Sequence, residues 1–241
     1  MRSRDLFQLR SQDSLFLFLL GYWILSVSNP FLLTGVTDTA EGSVPFELAL
    51  RSSLFSVLPA CFLVSPLFLL LCFRVSGWFP NPVVLLRFGR KRNVVLRETS
   101  ALLRLSLAFL LLLYALFAAG CVLRGQLHTA PLAEIAACFL LQLFACLAVG
   151  QIHTIAFFLF SSRSLAFFLP YSFFVAQYIM RMTGADGSVP LANWFSAVQL
   201  LPKYYNDLFA AVVTNLCLCF FRYFLWEQTD GSLRKKEEMA A

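Results

Sequence analysis

The sequence predicts an all-α integral membrane protein: a bundle of six transmembrane helices with both termini cytoplasmic. Three observations carry this expectation. First, 59% of the 241 residues are hydrophobic, 27 are Phe and only 13% are charged, with a mean hydropathy of +0.75. A water-soluble domain is closer to half apolar and about a quarter charged, so this chain has too little polar surface to cover a solvated body. Second, apolar runs recur at the length of about 20 residues that a helix needs to cross hydrocarbon. The short alternating segments of a β-barrel are absent from the sequence. Third, Lys and Arg are unequally distributed. With the N-terminus inside, fifteen of the nineteen fall on the cytoplasmic side. Only Arg51, Arg124, Arg181 and Lys203 fall outside, together with Asp38, Glu41, Glu47, Asp186 and Asp207, the asymmetry that sets membrane orientation.

The elements follow in chain order within one transmembrane domain, 1–241. The first span is expected at 15–33. Arg2 and Arg4 precede it, and Ser26-Val27-Ser28 resembles a leader cleavage site. The apolar run continues through Phe31, Leu32 and Leu33, however, so the segment is read as a retained span. An outer loop with Gly35, Gly42 and Pro45 leads to the second span at 54–73. Pro59 and Pro66 are expected to bend that span, with the Ser65 hydroxyl placed to satisfy backbone freed by Pro66. In the inner loop, Asn81 and Pro82 match an N-cap and a first-turn proline. Val84, Leu85, Phe88 and Val95 would share one side of a helical wheel, and Arg87, Arg90 and Arg97 the other. Gly89 weakens a continuous helix, so a short amphipathic helix within 75–100 is expected to end near Phe88. A basic turn through Arg90, Lys91 and Arg92 would then enter the third span at 102–123.

The fourth span is expected at 132–160 and the fifth at 165–180, joined by a tight inner turn; Pro170 is expected to bend the fifth. In the outer loop 184–206, Leu191, Trp194, Phe195, Val198 and Leu201 recur at helical spacing. Ser188 and Pro190 supply start signals and Pro202 a stop. This stretch is too short to span. It is either an amphipathic helix lying in or dipping into the outer interface, a depth that suits Trp194, Tyr204 and Tyr205, or an ordinary capping loop. The sixth span is expected at 208–226, followed by a charged, frayed tail at 227–241.

Tests for catalysis fail. There is no GxxxxGK[ST], HExxH or GxSxG segment and no paired acid motif, so no catalytic, cofactor-binding or metal-binding residue is expected. His153 has no metal-ligating companions. Cys61, Cys72, Cys121, Cys138, Cys146, Cys217 and Cys219 form no CxxC pair and read as small packing residues. The net charge of +6 reads as a topology signal and not as a nucleic-acid footprint. The remaining candidates are polar residues inside spans, which are costly there: Asn29, Gln142, His153, Gln177 and Asn215. Gln142, Cys146 and His153 share a face of the fourth helix, because eleven residues make about three turns, whereas Gln151 points elsewhere. Such residues either line a path or join helices by hydrogen bonds.

Six spans, inner termini, a long basic loop between spans two and three, and a structured outer segment between spans five and six form a recognisable combination. With the stretch LRFGRKRNVVLRETSALLRL, it resembles the permease subunit of type-2 ABC exporters. Within that group it is similar to the small permeases beside bacterial lantibiotic-immunity and peptide-export ATPases. The resemblance implies a pair of permease chains, identical or sister, in the bacterial cytoplasmic membrane. Each pair binds two copies of a separate P-loop ATPase that carries ATP and Mg. It also implies that the segment 81–92 is a coupling element, with Pro82, Val84, Leu85, Phe88, Arg90, Lys91 and Arg92 at the ATPase. The outer segment 189–205, with Trp194, Phe195 and Val198, would match the re-entrant helices that help close the exit. The implied function is export of a peptide, antimicrobial or other amphipathic or hydrophobic compound. The alternative is a non-transporting membrane assembly, sensor or immunity protein.

Overall fold

A computed structural model of the chain describes residues 60–76, 91–123, 132–160, 162–184, 189–196 and 204–240. The expected first span, Pro59 and the segment 77–90 lie outside these residues. Among the described residues every regular element is helical. A π-helical turn, Ala60–Val64, runs into α1 (Ser65–Ser76). There follow α2 (Lys91–Leu123), α3 (Leu132–Phe160), α4 (Arg163–Met182), α5 (Pro190–Ser196) and α6 (Tyr204–Ala240). Four of them contain stretches long and apolar enough to cross a membrane: Val94–Ala115, Ile135–Phe160, Arg163–Met182 and Tyr205–Trp226. The apolar helix Ala60–Phe73 is shorter.

Local chemistry explains the boundaries. Pro66 has no N–H to give the carbonyl one turn earlier, and its ring crowds that carbonyl. The chain meets this with the wider π-helical turn just before α1, and Ser65 Oγ donates to the Cys61 carbonyl at 2.9 Å. Ser162 caps α4: its backbone is extended (φ −115°, ψ 123°) and its hydroxyl accepts the Leu165 N–H at 3.4 Å. At the other end Gly184 takes φ +66°, a left-handed exit open to glycine.

Two regions differ from the sequence-based expectation. α2 begins at Lys91, so Lys91 and Arg92 form its first turn and do not lie in a basic turn ahead of a span at 102. Beyond Gly89 the sequence has no helix breaker, and Lys, Arg, Leu and Glu all favour helix. Arg104 is exposed on this helix and its Nη2 donates to Ser100 Oγ at 3.0 Å, running back toward the end that carries Lys91. That is the direction in which a helical side chain points, and it lets the charge snorkel. The tail also differs, because α6 continues to Ala240. Adding a residue to an existing helix avoids the cost of nucleation, and the tail is rich in Glu, Lys and Arg.

α3 is the hub. Of its span 56% is buried inside the bundle, against 17–33% for the other three, and it packs against α1, α2, α4, α5 and α6. Its central run Ala145, Cys146, Leu147, Ala148, Val149, Gly150 is rich in small side chains, which let neighbouring backbones approach. The approach is closest at Gly150, where an added Cβ would lie 3.0 Å from Leu102 Cδ2. The same core cluster contains Phe68, Leu69 and Cys72 of α1, Leu102 and Leu110 of α2, and Phe174 of α4.

Candidate functional site

The polar side chains of the hub reach outward to three sides. Gln142 Oε1 accepts the Tyr114 hydroxyl of α2 at 2.8 Å, and its Nε2 donates to the Phe195 carbonyl of α5 at 3.0 Å. Nine residues on, about half a turn out of phase, Gln151 faces α6 and donates to Asn215 Oδ1 at 2.9 Å. Asn215 in turn donates to the Phe144 and Ala211 carbonyls at 2.9 and 2.8 Å. His153 is fully buried and its Nδ1 lies 2.8 Å from the Ala166 carbonyl of α4. A carbonyl only accepts, so Nδ1 carries the proton.

Pro170 explains that last contact. In an unbroken α4 the Ala166 carbonyl would receive the N–H of residue 170, which proline lacks. His153 supplies the missing donor from the adjacent helix, while the Phe73 ring meets the imidazole edge-on at 4.5 Å between centroids. The helix therefore continues through Pro170 to Met182.

A similar device holds α5. Seven residues make a helix too short to be stable alone, and its ends leave backbone groups unpaired. Gln177 of α4 accepts the Val189 N–H at the start of α5, and Gln142 of α3 donates to Phe195 near its end. Between these two clamps Leu191, Ala192, Trp194 and Phe195 are all buried, with Phe195 edge-on to Phe174 at 5.1 Å. Pro190 is the first helical residue, the position where proline costs least. α5 is thus a short helix seated in the bundle, with three of the residues at helical spacing (Leu191, Trp194, Phe195) turned inward.

At the end of the bundle where α2 begins, α2 and α6 share a buried ion pair. Arg222 Nη2 bonds Glu98 Oε2, with the two residues 2% and 1% exposed. Arg222 Nη1 donates to Thr99 Oγ1 at 3.3 Å, Thr99 donates to the Val95 carbonyl at 2.8 Å, and Cys219 Sγ is 3.9 Å from Thr99 Oγ1. Glu98 Oε1 is buried with no hydrogen-bond partner among the described residues, as is Gln151 Oε1.

The sequence-derived candidates are distributed as follows. Gln142 and Gln177 meet at α5 together with Trp194 and Phe195, while His153 and Asn215 are bonded to α4 and to α3 respectively. Lys91 and Arg92 open α2. Asn29, Pro82, Val84, Leu85, Phe88, Arg90 and Val198 lie outside the described residues. The sequence-derived candidates do not include Glu98 or Arg222. The usable signal was an acidic residue standing alone among Arg87, Arg90, Lys91, Arg92, Arg97 and Arg104, with a lone Arg inside the sixth apolar run. Among the described residues no group of three or more His, Cys, Asp or Glu could hold a metal ion. The set of amides, one imidazole and one ion pair can brace helices and satisfy backbone groups. No protein-family model, curated protein or solved structure matches the chain.

Proposed function

We propose that the chain is the permease subunit of an ATP-binding-cassette exporter, with six spans and cytoplasmic termini. In this reading it works with a second permease chain and a separate P-loop ATPase that carries ATP and Mg. The observation that carries the reading is α5. A short helix between the last two membrane-length helices, buried and clamped at both ends by Gln142 and Gln177, is what a re-entrant closing element requires. The basic residues opening α2 fit a docking segment that runs into a span. Large apolar side chains exposed on α4 and α6, among them Phe168, Phe209 and Phe220, suit lipid and a second copy. The cargo would be a peptide, antimicrobial or other hydrophobic compound moved across the bacterial cytoplasmic membrane.

One observation favours the second reading, a non-transporting assembly, sensor or immunity protein. Gln142, Gln151, His153, Gln177 and Asn215 all bond neighbouring elements, which suits a static brace. Purification of the tagged chain from its native membrane, with bound proteins identified by mass spectrometry, separates the two. A permease brings down a P-loop ATPase whose hydrolysis it stimulates; absence of both rejects the permease. Cysteine-labelling topology that places the termini on opposite sides rejects six spans, and both termini outside rejects the orientation.

A further inference from the structure

The Glu98–Arg222 pair has features of a releasable link. A buried ion pair is a poor source of stability, because desolvation offsets the attraction and apolar residues of similar volume serve as well or better. What it supplies is a specific registration of two helices, here α2 and α6. The compensation is also incomplete: Glu98 Oε1 has no partner among the described residues, and the second Arg222 contact, to Thr99, is long at 3.3 Å. A contact so satisfied holds one arrangement without making it irreversible. Its position matters equally. Glu98 stands seven residues, about two turns, into a helix that starts at Lys91, within the segment assigned above to the ATPase. A displacement of the first turn of α2 would be carried along the helix to Glu98, which bonds Arg222 of α6.

We propose that the Glu98–Arg222 pair is the releasable link through which movement of the first turn of α2 is passed to α6. The proposal rests on the permease reading, so the test includes the unmodified chain. Chain and co-purified ATPase are reconstituted together, and ATP hydrolysis is compared with and without the permease. The double variant Glu98→Met/Arg222→Met is expected to insert and to melt within a few degrees of the parent. Its stimulation of the ATPase falls about tenfold, within the range of an allosteric coupling. A second variant needs no loss of the pair. Thr99→Cys, in a chain whose only other cysteine is Cys219, places two sulfurs at the 3.9 Å contact. Oxidation should join α2 to α6 and abolish stimulation, and reduction should restore it. If the parent chain stimulates no ATPase, the permease reading fails and the proposal with it. If the parent stimulates but the double variant or the cross-linked chain does so equally well, only the link is overturned.

Discussion

Replacing Gln142 by Leu should release α5 while leaving the rest of the bundle in place. The substitution nearly preserves side-chain volume, so little cavity is created, and two interhelical hydrogen bonds disappear: Tyr114 hydroxyl to Oε1, and Nε2 to the Phe195 carbonyl. Hydrogen bonds between membrane helices contribute about 0.6–1.7 kcal/mol each, so the sum is about 1–3 kcal/mol. Half of this falls on α5, whose seven residues cannot hold a helix alone, and the Phe195 carbonyl is left buried without its donor. Amide hydrogen exchange in nanodiscs, followed by mass spectrometry, reads the local opening directly. Peptides covering Pro190–Ser196 should exchange about 3- to 20-fold faster, whereas peptides from the centre of α3 should not change. Gln177→Leu also removes one bond to α5, from the Val189 N–H, and should accelerate exchange there by a similar factor. Unchanged exchange over α5 in Gln142→Leu, or an equal acceleration throughout α3, would refute the clamp.

Three further outcomes follow from the same contacts. Gly150→Ala sets a methyl 3.0 Å from Leu102 Cδ2, on a fully buried side chain, and should cost about 1–3 kcal/mol by overpacking; thermal unfolding in detergent checks it, and Leu102→Val in the same chain should recover part of the loss. His153→Leu orphans the Ala166 carbonyl and should cost about 1–3 kcal/mol. In a Pro170→Ala background, where the backbone regains an N–H for that carbonyl, the cost should shrink, and an equal cost in both backgrounds would refute the pairing. Asn215→Leu removes three hydrogen bonds and should destabilise by about 2–4 kcal/mol, more than Gln151→Leu, which removes one; a reversed order in thermal unfolding would contradict the assigned geometry.

The fourth apolar run, expected at 132–160, coincides with the helix Leu132–Phe160, within which Ile135–Phe160 is long and apolar enough to cross a membrane. The outer segment was partly legible, because Pro190 and the spacing of Leu191, Trp194 and Phe195 are local signals of a helix with one apolar side. Its burial was not, since that depends on Gln142 and Gln177 arriving from two other helices. The start of α2 was less legible: Gly89 marks a break, but beyond it Lys, Arg and Glu carry no penalty as helix formers and the helix begins at Lys91. Ser65 was assigned its backbone role from its place beside Pro66, a relation within one turn. The His153–Ala166 contact was out of reach for the opposite reason: Pro170 showed that a carbonyl would be freed, but not which helix would answer it.

The polar contacts within the bundle divide by what they serve. Ser65 answers the backbone disturbance before Pro66, His153 the carbonyl freed by Pro170, and Gln142 and Gln177 the two ends of α5. In hydrocarbon no water is available to take these groups, so each side chain stands where the backbone would otherwise be unpaired. That accounts for their presence without any path through the chain. Gln151 and Asn215 add a neutral amide contact between α3 and α6, a modest brace. Glu98 and Arg222 fit neither description, for they answer no backbone group and they bury full charge where a neutral pair would join the same helices at less cost. The contact that structural need explains least is therefore the one where substitution is most informative about function.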